Sequence, residues 1–233
     1  MKIYPIKTGI FQEKENLLAF IFKYIKKIRE GSVLVITSKI VSLAEGRTLP
    51  LPKNDTAKAK IIVSESSWAI PTKYVWLTKK DGMIMANAGI DESNANGKIV
   101  LLPKDSYRMA KKIRWMLLKK FDLKNCGVLI TDSRTQPLRA GIIGSALGYA
   151  GFKGIKNYKG TKDIFGRTFL FSSANIADCL ATSAVLVMGE GNEQQPLALI
   201  EQAPITFSSR VTKKESSIDL QDDIYLPLLK NFK

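Results

Sequence analysis

The sequence of 233 residues contains no histidine. This absence excludes Ser-His-Asp and Cys-His catalysis, and it excludes metal sites built on imidazole. Any acid–base or metal chemistry must therefore use carboxylates, hydroxyls, amides, lysines or backbone groups. Because most of these ligands are oxygens, we expect a bound metal to be a hard cation such as Mg²⁺ or Mn²⁺.

Cysteines are few, and long apolar runs are absent. The two cysteines, Cys126 and Cys179, lie within apolar runs and lack C-x-x-C spacing, which predicts buried free thiols rather than a disulfide or a zinc site. No apolar run is long enough to cross a bilayer, and the start "MKIYPIKTGIFQEKEN" does not have the pattern of a signal peptide. We therefore expect a cytoplasmic protein without a membrane segment.

Positive charge, in contrast, is abundant. The formal net charge of +15 indicates an anionic partner, and nucleic acid, an acidic surface and phosphorylated small molecules all qualify. A lysine-rich solvated surface accounts for most of such an excess without any partner. The hydrophobic content of 45% is enough for a substantial core, so the length predicts one large domain or two intimately joined ones.

Hydrophobic periodicity predicts helices interspersed with strands, and hence a mixed α/β or α+β fold. The predicted helices are residues 13–30, ended by Gly31; "DSYRMAKKIRWMLLKKF", capped by Asp105 or Ser106; and "IADCLATSAVLVMGEG", closed by Gly189 or Gly191. The predicted strands are "SVLVITSKIVS", "GMIMANAGID", "KIVLLP", "CGVLITDS" and "LALIEQAP". The glycine-rich segment "RAGIIGSALGYAGFKGIKNYKG" is typical either of phosphate binding or of close helix packing.

Three of the predicted strands end in polar clusters, namely 37–39, 91–94 and 131–133. Binding sites often collect at strand ends, so the pattern predicts that Asp91 and Asp132 share one metal or a pair of metals. The alternative is that these are ordinary turn and cap residues, which Asp, Ser and Asn also favour. The loop "MGEGNEQQP" adds Glu190 and Glu193 as possible oxygen ligands. There is no P-loop motif, which excludes a P-loop NTPase.

Five short segments carry a resemblance to a known family. In chain order, "ITSKIVSLAEGR", "NAGIDESN", "VLITDS", "GTKDIFGR" and "VMGEG" resemble the coenzyme F-420-0:L-glutamate ligase family, from about Gly9 to about Pro196. The resemblance implies a GTP-dependent and divalent-metal-dependent γ-glutamyl ligase with a mixed α+β fold and an intertwined homodimer. Its substrates would be GTP, L-glutamate and an anionic coenzyme precursor, joined through an acyl phosphate. The ligase domain would span residues 1–205, followed by a C-terminal extension at 206–233.

The resemblance also implies roles for individual residues. The catalytic pair would be Asp91 and Asp132, and the metal (Mn²⁺ or Mg²⁺) would be held by Asp91, Asp132, Ser133 and Glu190. Arg139 and Arg167 would bind the substrate, ahead of the neighbouring cations Lys39, Arg134 and Lys162. The implied nucleotide-binding residues are Gly9, Ile10, Phe11, Thr37, Ser38, Asn94, Gly189 and Gly191.

Two departures from the family pattern leave the acceptor open. Leu43 stands where the family usually has lysine, and Arg134-Thr135-Gln136 replaces a segment that commonly carries a Gly-Arg pair. A folate γ-glutamyl ligase and an inactive nucleotide-binding relative are therefore alternatives. A basic nucleic-acid-binding protein is the alternative of another class, supported by the charge and by the basic helix after Asp105. That helix also has an apolar face, which favours an ordinary amphipathic helix.

Overall fold

Strands and helices alternate along the chain in a mixed α+β fold, as the sequence predicts. A computed structural model describes residues 1–229. The strands are β1 Lys2–Ile6, β2 Val33–Thr37, β3 Thr48–Pro50, β4 Trp68–Pro71, β5 Trp76–Lys80, β6 Met83–Ala86, β7 Lys98–Val100, β8 Gly127–Thr135, β9 Ile142–Phe152, β10 Ile155–Asn157, β11 Ser173–Asn175, β12 Leu197–Glu201 and β13 Phe207–Ser208. The helices are α1 Leu17–Tyr24, α2 Ser38–Ala44, α3 Asp55–Ser64, α4 Ser106–Phe121, α5 Ile176–Met188 and α6 Leu226–Leu229. Short 3₁₀ turns occupy Asn87–Gly89, Lys213–Ser216 and Leu220–Asp222.

A six-stranded sheet in the order β1-β12-β2-β8-β9-β13 forms the centre of the molecule. Among the strands of residues 1–229, only the β2–β8 pair is parallel, and its register joins Val33 to Gly127 and Thr37 to Thr131. The carboxyl ends of two apolar strands therefore meet at one edge of the sheet. This topology brings two of the three polar clusters side by side.

Both faces of the sheet are covered, which explains why its central strands are continuously apolar. Leu34 and Ile36 point into a core shared with α1, α2 and α4. Val33 and Val35 point to the opposite face, where they pack with α5 and with Val211 of the C-terminal segment. Strand alternation places successive residues of β2 in the two separate cores.

A smaller lobe is inserted between α2 and α4. It contains the antiparallel pair β3–β7, helix α3 and the three-stranded sheet β4-β5-β6. The side chain of Asn54 caps α3 by accepting a hydrogen bond from the Ala57 N–H at 2.9 Å. The lobe matters for function because the chain leaves β6 through the 3₁₀ turn and enters the predicted site at Asp91.

Most of the predicted elements are confirmed, but two are wrong in extent. The strand predicted over "SVLVITSKIVS" ends at Thr37, and the residues after it form helix α2. The helix predicted at 13–30 is also too long. The helix begins at Leu17, capped by Asn16, and ends at Tyr24. Ile25 is already extended, with φ −102° and ψ 100°, yet it is buried in the core. The next apolar residue, Ile28, packs against the same core from outside the helix. Ile25 and Ile28 thus have helical spacing because both pack against the core, although neither lies in a helix.

The glycine-rich segment contains the longest strand, β9, which sequence reasoning missed. A Cβ atom on Gly144 would lie 2.5 Å from the Ala181 carbonyl oxygen of α5, and one on Gly148 would lie 2.6 Å from the Ser106 carbonyl carbon of α4. Real Cβ atoms do not approach other atoms so closely. These glycines therefore allow helices to pack on both faces of the strand, which is one of the two uses the sequence suggested.

The two cysteines have different environments. Cys126 is a buried free thiol, and burial raises its pKa to about 12. Cys179 is also a free thiol but is exposed on α5, so the prediction that it is buried was wrong. An amphipathic helix exposes one face, and Cys179 lies on that face although most residues of the helix are apolar.

The C-terminal segment returns to the main body and packs on the α5 face of the sheet. Val211 is buried, and the Glu215 carboxylate accepts hydrogen bonds from the Tyr149 hydroxyl at 2.9 Å and the Gly154 N–H at 3.2 Å. The last four residues of the extension predicted at 206–233 lie outside the described residues. Within residues 1–229, no helix combines the length and apolarity that a membrane span requires.

Candidate active site

The loop that carries Asp91 starts with a left-handed turn. Asn87, Ala88 and Gly89 have φ values of 50°, 54° and 70°, a region that costs energy for residues with a Cβ atom. The turn is held by the Thr78 hydroxyl, which accepts the Ala88 N–H at 2.7 Å and donates to the Met85 carbonyl at 2.7 Å. Such strain persists only where the surroundings fix it, and here it directs the chain from β6 towards the end of β2.

Asp91 is fixed by backbone and side-chain contacts together. Its backbone forms an antiparallel bridge with Val100, at 3.0 Å and 2.8 Å. One carboxylate oxygen accepts the Ser93 N–H at 2.7 Å, and the other pairs with Lys39 Nζ at 2.6 Å. Burial raises the pKa of Asp91, but Lys39 and Ser93 outweigh burial and hold the pKa below its usual value. Asp91 is thus ionised at neutral pH.

Asp132, at the end of β8, has the opposite electrostatic environment. The Ser38 hydroxyl donates a hydrogen bond to its carboxylate at 2.9 Å, joining the first residue of α2 to β8. The pKa of Asp132 is raised to about 6, because burial, together with a smaller effect of the charge of Asp91, outweighs the opposing effects of Ser38 and Arg134. The consecutive residues Ser38 and Lys39 of α2 contact Asp132 and Asp91 respectively, so the structure brings the two carboxylates into one neighbourhood.

The loop after α5 connects to both carboxylate-bearing segments. The Ser133 hydroxyl donates to the Glu190 carboxylate at 2.5 Å, and the Asn94 side-chain amide donates to the Gly191 carbonyl at 3.0 Å. The Gly191 N–H donates to the Glu193 carboxylate at 2.8 Å, which closes the loop on itself. Four of the predicted site residues are therefore joined in pairs that are distant in sequence.

The N-terminal segment borders the same loop. The Thr8 N–H donates to the Gln194 carbonyl at 2.9 Å, and the Thr37 N–H donates to the Pro196 carbonyl at 3.0 Å. The next residue, Gly9, donates its N–H to the Tyr24 hydroxyl at 2.7 Å. Among the nucleotide-binding residues predicted here, Ile10 is exposed and Phe11 is buried in the core.

The predicted substrate-binding arginines are not drawn into this arrangement. Arg139 and Arg167 are exposed on loops, and among residues 1–229 neither guanidinium forms a hydrogen bond or an ion pair. Lys39, which was considered beside them, pairs with Asp91 instead. Arg134 differs from these exposed arginines. Its guanidinium is largely buried, and its Nε has no hydrogen-bond partner in the described part of the chain.

Sequence reasoning missed Asp178, near the start of α5. Its carboxylate accepts hydrogen bonds from the Ala146 N–H at 2.7 Å, the Ser145 hydroxyl at 3.1 Å and the Asn175 amide at 2.6 Å. Asn175 in turn caps the helix by accepting the Asp178 N–H at 3.0 Å. The N-cap spacing of Asn175 and Asp178 was visible in the sequence, but the contact with β9 was not.

The site's oxygen donors fit a hard divalent cation in kind. Within residues 1–229, no three Asp, Glu or Cys side chains form a cluster that could hold a metal by themselves. Two carboxylates nevertheless lie in one neighbourhood, with the Ser133 hydroxyl next to Asp132 in the chain. Mg²⁺ is usually bound by one or two carboxylates together with substrate phosphates and water rather than by a complete protein cage. The donor set therefore suits a cation that arrives with a phosphate-bearing ligand.

Comparison with known proteins identifies the family of this chain. The chain is 32% identical over 238 residues to the coenzyme F420:L-glutamate ligase of Methanococcus maripaludis strain C7, covering 95% of this chain and 94% of the relative. It is 32% identical to the same-named enzymes of Methanocaldococcus jannaschii, covering 90% of each chain, and Archaeoglobus fulgidus, covering 86% of this chain and 87% of the relative. The sequence profile of the family described as F420-0:Gamma-glutamyl ligase matches residues 5–202. The chain therefore belongs to the F420-0:gamma-glutamyl ligase family.

Proposed function

We propose that the protein is a GTP-dependent, divalent-metal-dependent γ-glutamyl ligase that adds L-glutamate to an anionic coenzyme precursor of the F420-0 type. The observation that carries the proposal is the meeting of two strand ends and two loops around Asp91 and Asp132. The relatives named above, which match the chain over most of its length, are named for glutamate ligation to coenzyme F420. We extend that activity to this chain because the contacts of Ser38, Lys39, Ser133 and Asn94 connect the segments that carry Asp91, Asp132 and Glu190.

The residues that would hold a cation are Asp91 and Asp132, with Ser133 and Glu190 beside them. A bound Mg²⁺ or Mn²⁺ would neutralise phosphate charge and connect the carboxylates to an anion that they would otherwise repel. This accounts for two carboxylates in the site of a chain with a net charge of +15. The remaining basic surface attracts phosphates and carboxylates from solution.

The other site residues would bind and orient the nucleotide. Gly9, Gly189 and Gly191 lack side chains that would keep a ligand away from the backbone, and Thr37 adds a hydroxyl at the end of β2. Asn94 fixes the position of the loop after α5 through Gly191. Since phosphoryl transfer depends mainly on positioning and charge neutralisation, a chain without histidine has the groups it needs.

The proposed reaction has two steps. An acceptor carboxylate oxygen attacks the γ-phosphorus of GTP, so that an acyl phosphate forms and GDP leaves. The amine of L-glutamate then attacks the acyl carbon, phosphate leaves, and the amine loses a proton as the amide forms. The residues of this chain would position the two substrates and exclude water, which would otherwise hydrolyse the acyl phosphate.

The direct test is incubation with GTP, Mn²⁺, L-glutamate and a panel of acceptors, followed by mass analysis of the products. We expect the coenzyme F420 precursor to gain the mass of one or more glutamyl residues, with GDP released only in the complete mixture. Modification of a folate instead would support the folate ligase alternative. Nucleotide binding without any product would support the alternative of an inactive relative. The absence of both nucleotide binding and product would refute the proposal.

The nucleic-acid alternative gains no support from the basic helix α4. Ala110, Ile113 and Leu117 are fully buried against the sheet, so the helix is anchored as an ordinary amphipathic element. On its exposed side, the Lys119 ammonium lies over the ring of Trp115, with its nitrogen 5.5 Å from the ring centroid. The aromatic side chain thus already has a cation beside it, which weakens the case for base stacking.

A further inference from the structure

A cavity of 210 Å³ lies beside the candidate active site. Its walls come from β8, β9, the start of α5, the β5–β6 hairpin and the C-terminal segment, and its polar lining includes Lys79, Tyr107, Arg134, Ser145, Asn175 and Asp178. A larger groove of 460 Å³ adjoins it, and the two share Asp81, Met83, Tyr107, Leu147 and Lys213. The cavity is therefore a small side chamber of a larger groove.

Arg134 is a largely buried cation of the chamber, and it has no ion-pair partner among residues 1–229. Within the same residues, its Nε is buried without a hydrogen-bond partner, and its Nη2 contacts only the thioether sulfur of Met83. A thioether is a weak acceptor and carries no charge. An unpaired buried cation is costly, so the geometry favours a carboxylate as the missing partner.

Asp178 lies on another wall of the same chamber. The charge of Asp132 and, to a smaller extent, that of Asp178 act on Arg134, but neither carboxylate forms an ion pair with it. Asp178 accepts three hydrogen bonds, and a carboxylate can accept about four. A guanidinium and a carboxylate that share a cavity without touching suit a ligand that carries both charges. The α-carboxylate and ammonium of an amino acid provide such a pair.

The position and size of the chamber restrict its ligand further. Arg134 and Asp132 are two residues apart on β8 and so lie on the same face, roughly 7 Å apart along the strand. A pocket for a drug-sized ligand usually has a volume of about 300–1,000 Å³, so the chamber suits something smaller. The adjoining groove has a volume within that range.

We propose that this chamber binds the amino-acid substrate, with Arg134 holding a carboxylate of L-glutamate and Asp178 facing its ammonium group. The identity of the amino acid rests on the proposed function, whereas the chamber's fit to a zwitterion does not. The C-terminal segment closes one side of the chamber through Ser216, Ile218 and Leu220. The Tyr107 hydroxyl and the Ser216 hydroxyl are hydrogen-bonded at 2.9 Å and fix that wall in place.

The test compares the full-length wild type with Arg134→Gln, Arg134→Lys and Arg210→Gln. Arg210 is an exposed arginine whose described hydrogen bonds involve only its backbone, so it is the matched control. Binding of L-glutamate is measured by calorimetry in the presence of GTP and Mn²⁺, and the Michaelis constants of glutamate, GTP and acceptor are measured separately. Thermal unfolding of each variant checks that it is folded.

We expect Arg134→Gln to weaken glutamate binding and to raise the Michaelis constant of glutamate about ten- to a hundredfold. The Michaelis constant of GTP in Arg134→Gln should stay within about twofold of the wild-type value. Arg210→Gln should match the wild type in all of these measurements. Arg134→Lys keeps the positive charge and so guards against loss of folding. It should still weaken binding severalfold, because lysine cannot hold a carboxylate bidentately.

Several outcomes would overturn the assignment. Equal glutamate affinity in the wild type and the folded Arg134 variants would do so, and so would undetectable glutamate binding by the wild type. If the wild type ligates glutamate and Arg134→Gln leaves its Michaelis constant unchanged, the proposed function stands and this inference fails. If no acceptor is ligated but glutamate binding depends on Arg134, the proposed function fails and the chamber remains an amino-acid site.

Discussion

Asp91 and Asp132 are two carboxylates with opposite environments. Asp91 is paired with a lysine, whereas Asp132 is buried beside a hydroxyl and another carboxylate. Under the proposed function, Asp91→Asn and Asp132→Asn should each weaken metal-dependent GTP binding at least tenfold, because a neutral amide is a poor ligand for a hard cation. Equilibrium titration with GTP at fixed Mn²⁺ measures the effect.

Asp122→Asn is the control for that experiment. Asp122 is exposed and caps α4 in a left-handed conformation, with φ 51° and ψ 50°, which asparagine also tolerates. The GTP affinity of the Asp122→Asn variant should equal that of the wild type. Undiminished GTP binding by folded Asp91 and Asp132 variants would show that the metal assignment is wrong.

The turn before Asp91 requires glycine at position 89. Gly89→Ala should destabilise the fold, since a Cβ atom there would lie 2.6 Å from the Leu102 side chain and φ is 70°. We expect a loss of about 2–4 kcal/mol, from left-handed strain of roughly 1–2 kcal/mol together with overpacking of a similar size. Chemical denaturation measures this loss.

Gly97→Ala separates these two contributions. Gly97 has φ 74°, but a Cβ atom there would meet nothing within 4 Å. The control should therefore cost only the strain, about 1–2 kcal/mol. Equal losses in the two variants would mean that Leu102 does not restrict the turn.

For single residues, the sequence predicted which residues belong to the site better than it predicted which side chains they contact. Asp132, Ser38 and Asp91 could be identified because polar residues at strand ends tend to converge. The partners Lys39 for Asp91 and Glu190 for Ser133 depend on contacts across 52 and 57 positions, which local spacing does not encode. Arg134 was one cation among several until its burial distinguished it.

Helices were predicted correctly where their capping residues and their apolar spacing indicated the same element. Helix α4 was predicted from its cap at Asp105 and its apolar stripe, and α5 from its glycine end. Strand β9 was missed because its glycines disfavour strands, and only close packing against two helices explains them. The helix at 13–30 was overextended because extended residues can also bury apolar side chains at helical spacing.

Glu65 connects three elements of the inserted lobe. It is the C-cap residue of α3. Its carboxylate accepts a hydrogen bond from Arg47 Nη2 at 2.7 Å and forms an ion pair with Lys80 of β5. Burial raises the pKa of Glu65, but the hydrogen bonds from Lys80 and Arg47 outweigh burial, so the pKa is lowered. Its stabilising contribution is therefore complete above the unfolded pKa of about 4.3 and is lost as pH falls through the lowered value.

Glu65→Gln should accordingly destabilise the protein by about 1–2 kcal/mol at pH 7. The difference from the wild type should shrink as the pH falls below about 4, as denaturation series at several pH values would show. Glu92→Gln is the comparison, because the Glu92–Lys58 pair is more exposed and should contribute at most about 1 kcal/mol. A pH-independent difference at Glu65 would contradict the ion-pair explanation.

For the whole molecule, exposed apolar side chains indicate where a second copy would bind. Ile164, Phe165 and Phe171 are about 90% exposed, and they belong to the loop that carries the "GTKDIFGR" motif. Large apolar side chains grouped on a surface usually mark an interface. We therefore propose that this loop contributes to the homodimer that the family resemblance implies.

Phe165→Asp should shift the protein towards the mass of a single 25.9 kDa chain in light scattering at micromolar concentration. An ionised carboxylate at a buried interface lacks a partner, so association should weaken by at least tenfold. Tyr74→Asp, which alters an exposed aromatic side chain of the inserted lobe, should leave the mass unchanged. A wild type that is already monomeric would refute the dimer.

The order of strands in the central sheet has a consequence for synthesis. Ile36 of β2 pairs with Leu197 of β12, so one edge of β2 has no partner until the chain has been made to about residue 201. At roughly 5–20 residues per second, that takes about 10–40 s after translation begins. During this interval, an apolar strand edge is open to pairing with other chains. We therefore expect translation products that stop before β12 to aggregate more readily than the full-length chain.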